Sequence, residues 1–574
     1  MPIAITHDIS WRLHSIAATR AVEYALAAQL APNTLMQRAG LAVARLACAL
    51  APHARTIWVA CGPGNNGGDG LEAALHLQRW GHHPVVTLCG DPAQLPVDAS
   101  AALARARAAG VVIAAQPPAH CDLAIDALLG IGSTRPLASP MREWLLHLHA
   151  SAGVVLSVDV PSGLNADTGC YADPHFAADL IAARAGFTRV IGLFCLNLLT
   201  IKPGVFTAQG KDTAGQVWWD GLDALPSALI SALISPQPNA QDTVLDTALD
   251  TATSSAPTPT SLSTATATLL GADRVSPPLR PHASHKGSYG DVAVIGGAPG
   301  MTGAALLAAR AALHAGAGRV FVALLDGTSM AVDIAQPELM FRQPSDIGLP
   351  DTTVICGCGG GDAVRSVLPR VLSSAQRLVL DADALNAIAA DTSLQRLLVA
   401  RAALSVAGLS TPSQGSAPRL AGEHGGLFSR TVITPHPLEA ARLLGCSAAQ
   451  VQADRLQAAQ QLADKFACTV VLKGAGSIIA TPGLLPCINP TGNAKLATAG
   501  TGDVLAGMVG AALATGRGSM AADTSGQTAG LLNGHAASLL NSHAAAYTAV
   551  YHHGLAASLW PDTQHLTAST LLNI

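Results

Sequence analysis

Between Leu225 and His285 the sequence changes character. SPQPNAQDTVLDTALDTATSSAPTPTSLSTATATLL is built mainly from Ser, Thr, Pro and Ala. Such a stretch cannot bury enough apolar surface to offset the entropy lost on ordering it, so it reads as a linker. At 574 residues the chain is also too long for one typical domain. Three segments are expected: an N-terminal unit (1–224), the linker (225–284) and a C-terminal unit (285–574), both outer units long enough to bury a core. A second Gly/Ser/Pro-rich patch, Gly408 to Gly426, reads as a surface loop.

Both outer units alternate short β-branched runs with helical segments. In the first, TIWVACG, PVVTLCG, VVIAA, DLAIDALLG and VVLSVDVPSG read as strands, with LEAALHLQRWG as a helix after the first. In the second, GDVAVIGG, RVFVALL, TTVICG, RLVLDADAL, RTVITPH and CTVVLKG take that part, and TGAALLAARAALHAGAG is a helix. This is the pattern of parallel sheets covered by helices on both faces, an α/β class in which ligands sit beyond the carboxyl ends of the strands. Neither unit repeats the other, so two different folds are expected.

Charge excludes one broad class of partner. With 33 basic and 37 acidic residues and no Lys/Arg run, the chain carries no electrostatic footprint for nucleic acid. The first residues lack the basic start and apolar core of a signal peptide. A mean hydropathy of +0.36 reflects abundant alanine, and the longest suspicious run, Val190 to Ile201, has 12 residues, against the roughly 20 that a membrane helix needs. Eleven scattered cysteines without a CxxC pair argue against disulfides and zinc knuckles. A soluble cytoplasmic protein is expected, with small-molecule ligands and assembly into a homo-oligomer.

Directly after the first strand comes GPGNNGGDG, Gly62 to Gly70, a formal G-x-G-x-x-G match. Alone the match is weak evidence; a plain strand-to-helix turn is the bland alternative, and a dehydrogenase would use Asp91 about 20 positions on. Asn65, Asn66 and Asp69 place polar side chains where a dinucleotide turn keeps bare glycines. Two more strands end in carboxylates, at Asp126 and Asp159. A lone buried charge costs several kcal/mol, so each needs a partner or a task. Asp126, Asn66 and Ser162 are hard oxygen donors suited to a cation, and Asp159 could be a general base.

These segments, together with KPGVFTAQGKD, resemble the NAD(P)H-hydrate epimerase family, which has a Rossmann-like doubly wound sheet and interconverts the R and S forms of a hydrated nicotinamide ring. The resemblance implies that Asn65, Asn66, Gly67, Gly68 and Asp69, with Gly130, Ile131, Gly132, Ser133, Thr134, Arg135 and Pro136, hold the damaged dinucleotide. It further implies Asp159 as acid/base and a potassium ion (K+) at Asn66, Asp126 and Ser162.

The C-terminal unit contains KLATAGTGDVLAGM, Lys495 to Met508, which raises an electrostatic question. A Gly-rich turn opening a helix attracts anions, yet Asp503 would repel a phosphate there. Either it is an N-cap or it handles a proton beside the phosphate. No Walker A motif occurs. With DADALNAI, TPHPLEAARLL, VLKGAGSIIA and KGSYGDVAVIGGAPGMTGAALLAA, the loop resembles the ribokinase-like superfamily and, within it, the ADP-dependent NAD(P)H-hydrate dehydratase family. That resemblance implies Asp503 as catalytic base, with Ala304, Gly361 and His436 also touching the hydrate. Lys473, Gly474, Ala475, Gly476, Ser477 and Gly502 would meet the adenine nucleotide, ADP with Mg2+.

Plainer roles stand beside these. His436 could be a satisfied structural histidine and Lys473 a solvated lysine. Asp381 and Asp383 could cap a helix or order the core. His82, His83, His552 and His553 are expected at the surface. The expected function is two-step repair of NADH and NADPH hydrates (NADHX and NADPHX): epimerisation, then ADP-dependent dehydration releasing AMP and phosphate. A small-molecule kinase and a nucleotide-binding sensor remain alternatives.

Overall fold

Each apolar run read as a strand is a strand in the computed structural model, which describes residues 1–133, 135–185, 192–223, 265–275, 280–327, 330–407, 430–516 and 534–572. Thr134, most of the expected linker and the 408–426 loop lie outside them. The chain folds into two units, Met1–Gly271 and Ala272–Ile574.

The strands of the first unit are β1 (Ile3–Ala4), β2 (Trp11–Leu13), β3 (Ile57–Cys61), β4 (Pro84–Leu88), β5 (Val112–Ala114), β6 (Cys121–Ala127), β7 (Ala152–Val158), β8 (Gly192–Leu198), β9 (Gln216–Asp220) and β10 (Ala267–Leu269). The main sheet runs β1-β9-β8-β7-β6-β3-β4-β5, parallel except at its β1 edge. β3 is buried along its whole length, as a strand covered on both faces must be. The chain leaves β3 for β4 and β5, then returns to lay β6 on β3's other side. That reversal parts the turns after β3 and β6 and opens a crevice at their carboxyl ends.

Within the 225–284 stretch, β10 pairs antiparallel with β2, Ala267 opposite Leu13 and Leu269 opposite Trp11. All four side chains are buried, and that apolar contact offsets the cost of ordering. The run at Val190 to Ile201 contains β8, a buried strand rather than a span. Among the described residues no helix is long and apolar enough to cross a membrane.

In the second unit the strands are β11 (Asp291–Gly296), β12 (Arg319–Leu324), β13 (Met340–Phe341), β14 (Thr353–Cys356), β15 (Arg377–Leu380), β16 (Arg430–Ile433), β17 (Thr469–Leu472), β18 (Ile478–Ala480) and β19 (Cys487–Ile488). They are ordered β13-β12-β11-β14-β15-β16-β17-β18-β19, parallel through β17 and antiparallel after it. β11 lies between β12 and β14, giving this sheet its own reversal point.

Helix Thr501–Ala514 packs on helix Thr302–His314 through small residues. A Cβ on Gly507 would sit 2.2 Å from the Ala308 carbonyl oxygen, too close for any side chain. Gly507→Val should therefore destabilise the second unit by about 1–3 kcal/mol, seen as earlier unfolding of that unit alone in denaturant. An unchanged midpoint would contradict the packing.

Candidate active sites

In the first unit, the turn after β6 and the turn after β7 meet at Asp126. Its carboxylate is fully buried and accepts from Ser162 Oγ at 2.5 Å, Ser162 N at 2.9 Å, Leu128 N at 3.3 Å and Ser157 Oγ at 3.4 Å. Burial nevertheless raises its pKa, and among the described residues no Lys or Arg pairs with it. Ser162 Oγ also accepts from Leu129 N at 2.8 Å, tying the two turns together. Asn66, in the first turn of helix Asn65–Arg79, is buried against Gly130, and its Nδ2 has no hydrogen-bond partner. Asn66, Asp126, Ser162 and Gly130 thus converge on one corner.

Asp159, just past β7, adopts φ +68, a left-handed conformation that is uncommon outside glycine. Such backbone persists only where neighbours over-determine it. Asp159 N donates to Leu196 O at 2.8 Å, and Asn197 Nδ2 donates to Asp159 O at 2.6 Å. The carboxylate accepts from Leu198 N at 3.2 Å and is ion-paired to Lys202. Lys202 is fully buried and also donates to Leu198 O at 2.7 Å. Asp69 faces this group, and burial, then the charge of Asp159, pushes its carboxyl well above the usual range. The result is a strained carboxylate with one exposed edge, an ammonium beside it and a second acid poised to be neutral.

The remaining predicted positions take simpler places. Gly67 and Gly68 allow the helix to start close to its surroundings, a Cβ on Gly67 falling 2.0 Å from Gly62 O. Gly130, Ile131, Gly132 and Ser133 form the loop after β6, with Ser133 buried. Arg135 and Pro136 instead line a small cavity with Arg142, Tyr171 and Phe176. Asp91 caps the turn Pro92–Gln94.

In the second unit the N-cap of helix Thr501–Ala514 is Gly500, at φ +88, and Asp503 stands three residues in. Asp503 is therefore no N-cap. Its carboxylate, that of Asp381 and the Cys358 sulfur lie within 4.8 Å of one another. Burial, then the nearby charge of Asp381, raises the Asp503 carboxyl to about 7. Asp381 occupies the N-cap position of helix Ala382–Ala390 but makes no cap bond. It accepts from Lys473 Nζ at 2.7 Å and Thr434 Oγ1 at 2.8 Å. Asp383 Oδ2 accepts from Gly361 N at 2.8 Å, fixing the turn after β14 in its left-handed shape. Asp381 thus stands at the N-cap position of the plainer reading but gives its carboxylate to Lys473 and Thr434, and Asp383 gives its own to the turn after β14.

Lys473 is no solvated lysine either. Burial opposes its charge, but Asp381 and Glu439 more than offset this, and its pKa is raised. A Cβ on Gly502 would lie 3.3 Å from Lys473 Nζ, so the ammonium sits at the opening of helix Thr501–Ala514. Fixed positive charge and free amides there make an anion site. The following turn is closed by Gly474 N donating to Ser477 Oγ at 3.3 Å, with Gly474 and Ala475 exposed. Buried Arg455 braces it by donating to Lys473 O at 3.2 Å.

His436 fills the structural role of its plainer reading. Nδ1 accepts from Leu438 N and Glu439 N, capping helix Pro437–Leu444, while burial and then Lys473 lower its pKa and favour a neutral ring. Ala304 lies at the start of helix Thr302–His314, beside the Gly359 turn. His553, expected at the surface, is buried and donates from Nε2 to Thr501 O at 2.9 Å; burial holds it near 4, hence neutral.

Sequence reasoning missed three residues: Lys202, Arg455 and Cys358. Lys202 carried a readable signal, a single lysine after an apolar run, because a buried ammonium demands a carboxylate and Asp159 ended the neighbouring strand.

The chain matches the family model for the YjeF-related protein N-terminus at residues 32–187 and that for NAD(P)H-hydrate dehydratase at 292–426 and 419–573. It is 31% identical to the bifunctional NAD(P)H-hydrate repair enzyme of Escherichia coli K12, over 83% of this chain and 80% of that one. It is 39% identical to the ADP-dependent (S)-NAD(P)H-hydrate dehydratase of Neisseria meningitidis, over 41% of this chain and 72% of that one. Among solved structures it is similar to the ADP/ATP-dependent NAD(P)H-hydrate dehydratase of Bacillus subtilis, at 26% identity and a TM-score of 0.37, covering 52% of this chain and 92% of that one. With two α/β units, each carrying carboxylates at its sheet's reversal point, the chain belongs to the family of bifunctional NAD(P)H-hydrate repair enzymes.

Proposed function

We propose that the first unit interconverts the R and S hydrates of NADH and NADPH and that the second dehydrates the S form with ADP, releasing AMP and phosphate. The observation that carries this reading is the pair of separate acid/base centres, one per unit, each built around a strand-end aspartate ion-paired to a lysine.

In the first unit the hydrated carbon bears a hydroxyl next to the ring nitrogen. Such a carbon inverts when its C–O or C–N bond opens and recloses on the other face. Either route takes a proton from one heteroatom and returns it to another. Asp159 is the acceptor, and the ion pair with Lys202 orients its carboxylate. Asp69, biased toward its neutral form, can return the proton. The loop after β6 and the Asn65–Asp69 turn embrace the dinucleotide.

Potassium fits the Asn66, Asp126 and Ser162 corner. All three supply oxygen, the Asp126 charge is buried without a basic partner among the described residues, and the unpartnered Asn66 Nδ2 leaves that amide free to turn its oxygen inward. A bound cation would supply positive charge and hold the Gly130 turn against Asn66.

In the second unit Asp503 takes the proton from the hydrate hydroxyl as that oxygen attacks the β-phosphorus of ADP. Lys473 and the amides at the opening of helix Thr501–Ala514 stabilise the charge on the transferring group. AMP leaves, the new phosphate ester loses phosphate together with a ring proton, and the double bond of the reduced nicotinamide returns. Magnesium accompanies the nucleotide phosphates. A kinase that stops at the ester would use the same base, but it gives the first unit no purpose. Assembly into a homo-oligomer in the cytoplasm completes the proposal.

The two centres should be separable. Asp159→Asn and Lys202→Met should each slow R/S interconversion by at least about a hundredfold and leave dehydration of the S hydrate intact, while Asp503→Asn should do the reverse. Epimerisation surviving in both first-unit variants, or dehydration surviving in the third, would remove that centre from the mechanism. Because Asp503 acts ionised and its pKa is near 7, the dehydration rate should fall about tenfold per pH unit below neutrality and level off above it; a rate flat from pH 5 to 8 would contradict this. Replacing potassium by tetramethylammonium should lower the thermal midpoint of the first unit by about 2–4 °C, and an identical midpoint would count against the cation.

A further inference from the structure

Asp503 and Asp381 are two carboxylates close enough to repel, yet only Asp381 has a cation in contact: Lys473 at 2.7 Å, with the Thr434 hydroxyl at 2.8 Å. What faces Asp503 is the thiol of Cys358, which comes from the turn after β14 and is fully buried. Its S–H donates to Asp381 Oδ2 at 4.0 Å, and its sulfur lies within 4.8 Å of an Asp503 carboxylate oxygen. The backbone at this position is pinned, since Gly297 N donates to Cys358 O at 3.0 Å and a Cβ on Gly296 would fall 2.3 Å from that oxygen. The Cys358 backbone is therefore fixed, and its thiol meets the two carboxylates. Burial, then the charges of Asp503 and Asp381, pushes the thiol's pKa up, so it remains a donor and is no candidate nucleophile.

We propose that Cys358 is a positioning residue for the dehydration base: its S–H, which bonds Asp381 and lies beside Asp503, is shared between the two carboxylates and holds Asp503 ionised and turned toward the acceptor hydroxyl. This rests on the reading of Asp503 as the base. The thiol replaces a second cation, which would hold Asp503 too acidic to accept a proton near neutrality. The other groups facing Asp503 are Asp381 and Asp383 from the start of helix Ala382–Ala390 and Lys473 from the end of β17. His553, from helix Gly534–Leu559, is neutral and spends its N–H on Thr501 O. Cys358 is thus the neutral donor available to the base among these groups. Hydrogen bonding to the charged form lowers a carboxyl pKa, so loss of the thiol should raise that of Asp503.

The test is the pH profile of kcat for dehydration of the S hydrate with ADP and magnesium, for wild type, Cys358→Ala, Cys358→Ser and Asp503→Asn, with thermal midpoints alongside. Cys358→Ala should move the acid limb up by about 0.5–1 pH unit and lower kcat at pH 6.5 about three- to tenfold; Cys358→Ser, a stronger donor, should return the limb to the wild-type position or below it. A thiol that merely fills space would lower the midpoint and scale the rate equally at all pH values. A limb in Cys358→Ala that superimposes on wild type, or one in Cys358→Ser that rises with it, overturns the inference. Should the alanine variant fail to fold, the serine variant decides by direction: downward or unmoved supports the inference, upward overturns it. If Asp503→Asn keeps wild-type dehydration, the base reading fails and this inference with it. If Asp503→Asn is inactive but the limb does not move in Cys358→Ala, only the role of the thiol falls.

Discussion

A carboxylate at the end of a buried parallel strand is costly unless something charged or strongly hydrogen-bonding meets it. Both units are organised around that cost. In the first, Asp159 is met by the fully buried Lys202, and its left-handed backbone is locked by Asn197 and Leu196. In the second, Asp381 is met by Lys473 and Thr434. Lys202 reaches in from just after β8, the strand beside β7, and Lys473 from just after β17, two strands along from β15, so sheet order, not local sequence, creates each pair.

The two sites differ in what this compensation leaves over. Asp126 has donors but no basic partner among the described residues, which leaves an opening for a cation. Asp503 has a carboxylate neighbour and a thiol, which leaves a base near neutrality. The opening question about an aspartate in an anion-binding loop resolves the same way. Gly500 takes the N-cap, Lys473 Nζ lies at the helix opening, and Asp503 stands three residues in, so the proposed anion site and the proposed base occupy different places.

Much of this was legible in the sequence because parallel strands buried on both faces are continuous apolar runs, and their ends are marked by glycine, aspartate or histidine. The short edge strands were not legible. β2 and β10 are three residues each and are specified by their pairing across some 250 positions, so the segment carrying Ala267–Leu269 read as linker from its Ser/Thr/Pro surroundings. Asp381 read as a helix cap because its distant partner Lys473 is invisible to local reasoning. His553 read as a surface residue because one member of a His pair can face the core of a long helix while the other does not. Cys358 was passed over because a lone cysteine has no meaning until the fold brings two carboxylates to it.

Joining the two activities in one chain has a chemical logic: a stereospecific dehydratase leaves one epimer behind, and an epimerase alone restores nothing. The most direct measurement is therefore the recovery of reduced nicotinamide from an equal mixture of R and S NADH hydrate incubated with the intact protein, ADP and magnesium, with phosphate release followed in parallel. Complete recovery with one phosphate per cofactor is the predicted result. Recovery that stops near half would contradict an active first unit, and a stable phosphorylated product without recovery would contradict the dehydratase.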